Sequence, residues 1–242
     1  MSRATESSSR PARPDVAEPE TLGGLAPVDG LAPVDRLTQA DEPILADGLT
    51  LAAGLTLADG LAIAERAARA VWATLADRPL DGCPPTAVAL RRLGASFVTL
   101  ERAGALRGCI GSLEAARPLY RDVERNATRA MTDPRLAPVT ADEWPGLRIS
   151  VSVLSASVPL AVASLQELVA CLRPQVDGLT LVAGQRRSTF LPAVWRKLPE
   201  PAAFVAALLR KGGWPDGRLP SGVSIRRYTA TEFTDTSGRD PL

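Results

Sequence analysis

The sequence contains no histidine. That absence excludes Ser–His and Cys–His nucleophilic pairs and any metal site built on imidazole. It also removes the side chain that most often serves as general acid or base near neutral pH. Cysteine is scarce: Cys83, Cys109 and Cys171 lie far apart, and an odd, dispersed set is no disulfide framework. With no C-x-x-C clustering, a structural zinc site is not expected, and the set is too spread out for a radical-generating iron–sulfur cluster. Lysine is nearly missing, with Lys197 and Lys211 the only examples among 28 basic residues. The arginines that make up the rest read as a compositional bias rather than as phosphate chemistry. Aromatics account for 4%, so a core has to be built mainly from Leu, Val and Ala. The longest apolar runs stop far short of a membrane span of about 20 residues. Met1–Arg10 has no apolar stretch of the signal-peptide kind, and a cytoplasmic location is the expectation. A formal charge of +1 gives no electrostatic case for nucleic acid or an anionic membrane. No phosphate-binding or dinucleotide glycine fingerprint is present.

What is present suffices for a sizeable core: 242 residues, 45% of them hydrophobic and 23% charged, allow one large or two small domains. Residues 1–54 read as a low-complexity extension, expected to be disordered. The first 20 are rich in Ser, Pro, Arg and acidic residues, a composition that cannot offset chain entropy by apolar burial. Short duplications follow, Gly24–Asp29 echoed by Gly30–Asp35 and Gly48–Ala52 echoed by Gly54–Ala58. Their period is too short for a solenoid. Residues 55–234 read as the folded domain, and 235–242 as a loose tail.

Within the domain, a helix is predicted over Leu57–Ala76, capped by Thr56 with Asp59 reaching back, and with an apolar stripe through Leu57, Leu61, Ala64, Ala68, Val71, Trp72 and Leu75. A helical turn near Val88–Leu93 precedes a strand at Gly94–Leu100. A turn at Glu101–Gly104 and a second strand complete a hairpin. Pro118 opens a helix reaching about Met131. Thr140-x-x-Glu143 and Ser164-x-x-Glu167 are capping boxes for two further helices. Between them Leu147–Leu154 alternates apolar and polar residues, as suits an antiparallel strand with one open face. Gly178–Gly184 and Arg186–Phe190 form a second hairpin, Pro192 and Pro201 open helices, and Ser224–Thr231 is a last strand. Hairpins outnumber plausible parallel crossovers, so the fold class is α+β: an antiparallel sheet with helices packed on it.

Chemistry concentrates in Leu106-Arg-Gly-Cys-Ile-Gly-Ser112 on the second arm of the first hairpin. Strict alternation places Arg107 and Cys109 on one face, about 7 Å apart at Cβ. A guanidinium there would favour the nucleophilic thiolate. Gly108 and Gly111 mark a bulge or a close approach to the backbone, and would open its amides to a ligand. The alternative is a small buried cysteine beside a structural bulge. Asn126, inside the helix after Pro118, needs a partner, either backbone of a neighbouring loop or a ligand. Asp133 and Arg135 can pair across a turn.

This heptapeptide resembles the signature of the AMMECR domain, and the chain is similar to the bacterial branch known as AmmeMemoRadiSam system protein A. The resemblance runs from about Leu57 to Phe233. It takes in Glu114, Asn126-Ala127, Asp133-Pro-Arg135, Ile149–Ser155, Pro174–Leu179, Arg186–Trp195 and Arg210-Lys-Gly-Gly213. It implies two lobes with the signature strand near a cleft between them. It also implies working partners, a Memo-like protein and a radical-SAM protein. Two readings of function follow. In one, the protein is an enzyme or enzyme subunit acting on a small molecule, with Cys109 reactive and Glu114 as acid or base. Arg107, Gly108, Gly111, Ser112, Asn126, Asp133, Arg135 and Thr189 would then bind substrate, with no metal and no cofactor. In the other, it is a non-catalytic module that presents this surface to those partners.

Overall fold

The computed structural model of the protein describes residues 54–80, 82–214 and 217–239. The extension expected at 1–54 falls outside them except for Gly54. Of the tail expected to be loose at 235–242, the described part is fixed instead: Asp235 N–H donates to the Ile149 carbonyl at 3.0 Å, and Arg239 pairs with Asp235 at 2.6 Å and lies 4.8 Å over the Trp144 ring. The first helix, α1 (Leu57–Leu75), starts at the expected capping box: Thr56 Oγ1 accepts from Asp59 N–H at 3.1 Å, and Asp59 accepts from Thr56 N–H at 3.0 Å. Its buried face differs from the expected stripe. Gly60, Ile63, Ala64, Ala67, Ala70 and Val71 face inward, whereas Leu57 and Leu61 are 55% and 46% exposed. The reason is size. A face of alanines lets α1 lie flush on its neighbours, and Gly60 leaves room for the Phe233 ring. Helix packing selected the small residues over the large ones.

The chain continues through α2 (Val88–Arg91), β1 (Leu93–Gly94), β2 (Ser96–Arg102), β3 (Ala105–Gly111) and β4 (Arg117–Pro118). The β2–β3 turn is shorter than predicted. Ala103 (φ 50°) and Gly104 (φ 80°) make it alone, both in the left-handed region that two-residue hairpin turns require. Next come α3 (Leu119–Ala130), a 3-10 helix (Ala141–Gly146), β5 (Leu147–Leu154), β6 (Val158–Pro159) and α4 (Leu165–Cys171). The hairpin β7 (Gly178–Ala183) and β8 (Arg186–Phe190) follows, then a 3-10 helix (Pro192–Arg196) and α5 (Pro201–Lys211). Two strands end the fold, β9 (Ser224–Tyr228) and β10 (Ala230–Thr234).

The architecture is α+β, as expected, with two antiparallel four-stranded sheets. The first has the order β10-β5-β2-β3 and the second β6-β9-β7-β8, while β1 and β4 pair separately. Each sheet has its own core. Ile63, Val71, Val98, Leu100, Val123 and Ile149 build the first with α1 and α3. Leu168, Leu179, Leu181, Trp195, Phe204 and Leu208 build the second, where Trp195 and Phe204 stack at 3.9 Å. The predicted last strand, Ser224–Thr231, is in fact two. The chain leaves the second sheet at Tyr228 and enters the first at Ala230, with Thr229 between. No glycine or proline marks that step in the sequence. Ser155, at the matching crossover between β5 and β6, binds Thr229 twice: its N–H donates to the Thr229 carbonyl, and its Oγ accepts from Thr229 N–H, both at 2.9 Å. A third apolar cluster, Ala95, Leu154 and Tyr228 with Phe97, Leu113 and Leu191, closes the seam between the two lobes.

Candidate functional site

Cys109 lies in the middle of β3, the edge strand of the first sheet, opposite Thr99. The register shifts between Leu100 and Glu101: Leu100 faces Gly108, Glu101 faces Leu106, and Arg107 is the extra residue of a bulge. A bulge breaks the alternation that placed Arg107 beside Cys109. Arg107 turns to the helical side, where its Nε and Nη2 donate to the two carboxylate oxygens of Glu143 at 2.6 and 2.8 Å, and Nη2 also reaches the Pro138 carbonyl at 3.3 Å. The expected Arg107–Cys109 charge pair is therefore replaced by a two-pronged ion pair with Glu143. Hydrogen bonds from Arg107, aided by Thr140 N–H and opposed by burial, hold the Glu143 carboxyl down to about 2. The pair borders an open depression of ≈ 600 Å³ lined also by Arg102, Ala103, Thr140 and Asp142. Cys109 does not line it.

Cys109 instead sits on the face that Phe97, Thr99 and Gly111 share, half-buried, with the Thr99 hydroxyl donating to its sulfur at 3.5 Å. Its backbone N–H and C=O point away from β2. The Asp133-Pro-Arg135 turn meets both. Asp133 Oδ2 accepts from Cys109 N–H at 3.0 Å, and Arg135 Nη2 donates to the Cys109 carbonyl at 3.0 Å. One carboxylate and one guanidinium thus stand in for the missing neighbour strand at this edge. They are bound to each other as well, through Arg135 Nε at 2.9 Å and Nη2 at 2.6 Å. Asp133 is 1% exposed. Hydrogen bonds from Arg135 hold its carboxyl far below the usual carboxylate range despite burial, with the N–H groups of Cys109 and Arg135 adding to the effect. The cation next to Cys109 is Arg135, not Arg107.

The two glycines of the signature have their openings filled by the protein itself. A Cβ on Gly108 would lie 1.9 Å from the Ala130 carbonyl oxygen, so the glycine lets α3 settle on β3. A Cβ on Gly111 would meet the Phe97 ring at 2.2 Å. Asn126 is fully buried and binds backbone of a strand rather than of a loop: Nδ2 donates to the Ser96 carbonyl at the start of β2 at 3.1 Å, and also to Asp122 at 3.0 Å. Ser112 Oγ is 3.4 Å from the same nitrogen. Asn126 Oδ1 has no hydrogen-bond partner among the described residues. Asp122, also fully buried, accepts from Ser96 N–H, Ser96 Oγ and Arg117, and this network joins α3 to the start of β2.

The second lobe supplies the other side of the seam. Arg187 on β8 donates to Glu114, in the loop after β3, at 2.6 Å. Thr189 lies inside a hydroxyl chain: its Oγ1 is 3.0 Å from Thr180 Oγ1 and 2.9 Å from the Tyr228 hydroxyl, and donates to the Leu179 carbonyl at 3.0 Å. Burial pushes the Tyr228 phenol up to about 12, against the Thr189 hydrogen bond. Lys211, the last residue of α5, donates to the Thr189 carbonyl at 3.0 Å and lies 5.2 Å over the Phe190 ring. Lys211 is exposed as a residue, yet these neighbours desolvate its ammonium, and that burial lowers its pKa; the charge of Arg135 lowers it further. Cys109, Glu114, Arg135 and Thr189 therefore gather along the seam, while Arg107 and Asn126 lie on the helical side of the sheet. Glu143, Arg187 and Lys211 are absent from the expected set. Arg187 and Lys211 fall within the Arg186–Trp195 and Arg210–Gly213 stretches, which was the available signal.

Among the described residues, no group of three or more Cys, Asp or Glu is placed to hold a metal ion. None of their helices is long and apolar enough to cross a membrane. The AMMECR1 family model matches residues 63–233. The chain belongs to the AMMECR1 family. A protein of Methanothermobacter thermautotrophicus is 42% identical over 99 residues, 40% of this chain and 52% of that protein. The chain thus matches about half the length of that relative. A Thermotoga maritima protein is 38% identical over 160 residues, covering 63% of this chain and 84% of its own. The crystal structure of the uncharacterized protein PH0010 from Pyrococcus horikoshii aligns with a TM-score of 0.68 at 27% identity, over 76% of this chain and 97% of that one. The family and fold are those the motifs implied.

Proposed function

We propose that this AMMECR1 protein is an enzyme, or an enzyme subunit, acting in the cytoplasm on a small molecule held at the lobe seam, with Cys109 as its reacting group. The carrying observation is how Cys109 is held. Cys109 is half-buried and its sulfur is touched by a hydroxyl, while its backbone is fixed at both N–H and C=O by the Asp133–Arg135 turn. Arg135, bonded to the Cys109 carbonyl, is the cation held beside the site. Glu114, 75% exposed at its side chain and tethered to Arg187, is the available acid or base on the same side. Arg107, Gly108, Ser112 and Asn126 serve the site by fixing β3 against α3 and the 3-10 helix, and Gly111 by making room for the Phe97 ring on the Cys109 face. A Memo-like protein and a radical-SAM protein are the proposed partners, on the strength of the resemblance alone.

The alternative, a non-catalytic module for those partners, draws support from the same packing: several signature residues have structural duties. Metabolite profiling separates the two, comparing wild type, a deletion strain and a strain carrying Cys109→Ser. The expected result is one metabolite class altered alike in the deletion and Cys109→Ser strains. A Cys109→Ser strain matching wild type, beside an altered deletion strain, would make the thiol a packing residue and favour the module.

A further inference from the structure

The polar side of β5, Ser150 and Ser152, comes from the Ile149–Ser155 stretch and takes no part in the hydrogen bonds around Cys109. The register nevertheless brings Ser150 to the neighbour of the thiol. Thr234, Ser150, Thr99 and Cys109 stand directly opposite one another on β10, β5, β2 and β3. Residues opposite each other in antiparallel strands point to the same face, so three hydroxyls and the thiol form one row across the sheet. The helices take the other face, where Val98, Leu100, Ile149 and Val151 join the core with α1 and α3. Within the row, Ser150 is the member without a bond. It is 6% exposed, and its hydroxyl has no hydrogen-bond partner among the described residues. Thr and Ser opposite each other can bond across strands, yet both neighbours are engaged elsewhere. Thr99 Oγ1 donates to the Cys109 sulfur at 3.5 Å, and Thr234 Oγ1 accepts from Arg148 Nη2 at 3.5 Å. A buried polar group left unpaired costs free energy and calls for an explanation. The explanation lies on the side that Ser150 shares with the thiol.

We propose that Ser150 is a ligand-binding residue, whose hydroxyl pairs with an uncharged polar group, a hydroxyl or an amide, on a ligand laid across the strands with its reacting end at Cys109. This names the ligand chemistry of the site proposed above and rests on that reading for where the reacting end lies. The sheet sets the span: Ser150 and Cys109 are separated by two strand spacings, about 10 Å. Thr99 alone stands between them, so an ionised group there would be buried without a counter-charge. The Thr99 oxygen, which donates its hydrogen to the sulfur, keeps lone pairs for an N–H at the middle of the ligand.

The test uses a pair of alkylating reagents matched in size. N-(2-hydroxyethyl)iodoacetamide and N-propyliodoacetamide deliver the same carbon to the thiolate and release iodide; they differ in ending with a hydroxyl or a methyl group. The extended hydroxyl chain is long enough to meet Ser150 from Cys109. The ratio of the two rates at Cys109 cancels the thiolate fraction, and dividing by the same ratio for 2-mercaptoethanol removes intrinsic reactivity. Peptide mass spectrometry reads it. The expectation in wild type is about a fivefold preference for the hydroxyl reagent, the worth of one neutral hydrogen bond. It should be lost in Ser150→Ala and kept in Ser152→Ala, which removes a hydroxyl one row away, opposite Phe97. A wild-type ratio equal to that of 2-mercaptoethanol, or one that Ser150→Ala leaves unchanged, would overturn the proposal while leaving a reactive Cys109 standing.

Stability gives an independent check. Because the Ser150 hydroxyl bonds nothing in the fold, Ser150→Ala should keep or raise the urea midpoint. A lowered midpoint would give the hydroxyl a structural duty and overturn the proposal. If Cys109 resists both reagents, the cysteine reading fails and the unreactive analogues decide the ligand question alone. N-(2-hydroxyethyl)acetamide should shift the backbone amide resonance of Thr99 in wild type more than N-propylacetamide does, and the difference should vanish in Ser150→Ala. Equal shifts from the two compounds in wild type, or none, would overturn the proposal.

Discussion

At the scale of single residues, Gly108 shows how a signature position can be functional in appearance and structural in cause. Its missing side chain is the space into which the Ala130 carbonyl of α3 fits, and backbone cannot yield as a side chain can. Gly108→Ala must either lift α3 from β3 or distort the bulge that turns Arg107 toward Glu143. We expect a loss of about 3 kcal/mol, in the range of overpacked core substitutions. Gly111→Ala presses only on the Phe97 ring, which can rotate, and should cost about 1 kcal/mol. Urea midpoints at constant m-value measure both. A Gly108→Ala protein within about 0.5 kcal/mol of wild type would show that close approach is not what the glycine provides. Legibility differed at this scale. The two glycines announced a bulge or close approach, and both were found. The partner of Arg107 was not readable: Glu143 is 36 residues away, and the bulge reversed the face that alternation predicted.

At the scale of elements, Glu143 does two tasks that the sequence showed only in part. It closes the Thr140 capping box, accepting from Thr140 N–H at 3.1 Å, and it fastens the 3-10 helix to β3 through Arg107. Its carboxyl has an ordinary value of 4.5 and is held at about 2 in the fold, chiefly by Arg107. Because the folded value is depressed, the stabilisation is complete above the unfolded pKa. It is lost progressively as pH falls from about 4.5 toward about 2. Glu143→Gln should lower stability by on the order of 2 kcal/mol at neutral pH, and the gap to wild type should narrow below about pH 4.5. Taking the difference between the two proteins cancels the acid response of Asp133, common to both. A gap that stays constant into acid would assign the loss to shape rather than charge. Helix starts were the most legible elements, because Thr56, Thr140 and Ser164 carry their partners three residues away. The buried face of α1 was not legible, since pattern reading favours large residues and this helix packs by its alanines.

At the scale of the whole molecule, two cores share one narrow seam, and the chain crosses it twice, once between β5 and β6 and once between β9 and β10. The class of fold and both hairpins could be read in advance. The second crossing could not, because Ser224–Thr234 carries no turn residue to announce it. The seam itself is held by the Ser155–Thr229 hydrogen bonds, the Glu114–Arg187 pair and the apolar cluster around Phe97 and Tyr228. The ion pair is exposed and contributes little. Apolar contact is then the main coupling between the lobes, and Phe97 is its largest member from the first sheet. In wild type, the most protected amides of α3 and α5 should exchange hydrogen with the same free energy, as in one cooperative unit. Phe97→Ala should leave each core intact but thin the seam, so that the two helices separate by about 1–2 kcal/mol in native-state exchange. The direction of the split identifies the weaker lobe. Helices that already differ in wild type would show that the lobes fold independently. Helices that stay matched in Phe97→Ala would place the coupling in the two chain crossings instead of the apolar cluster.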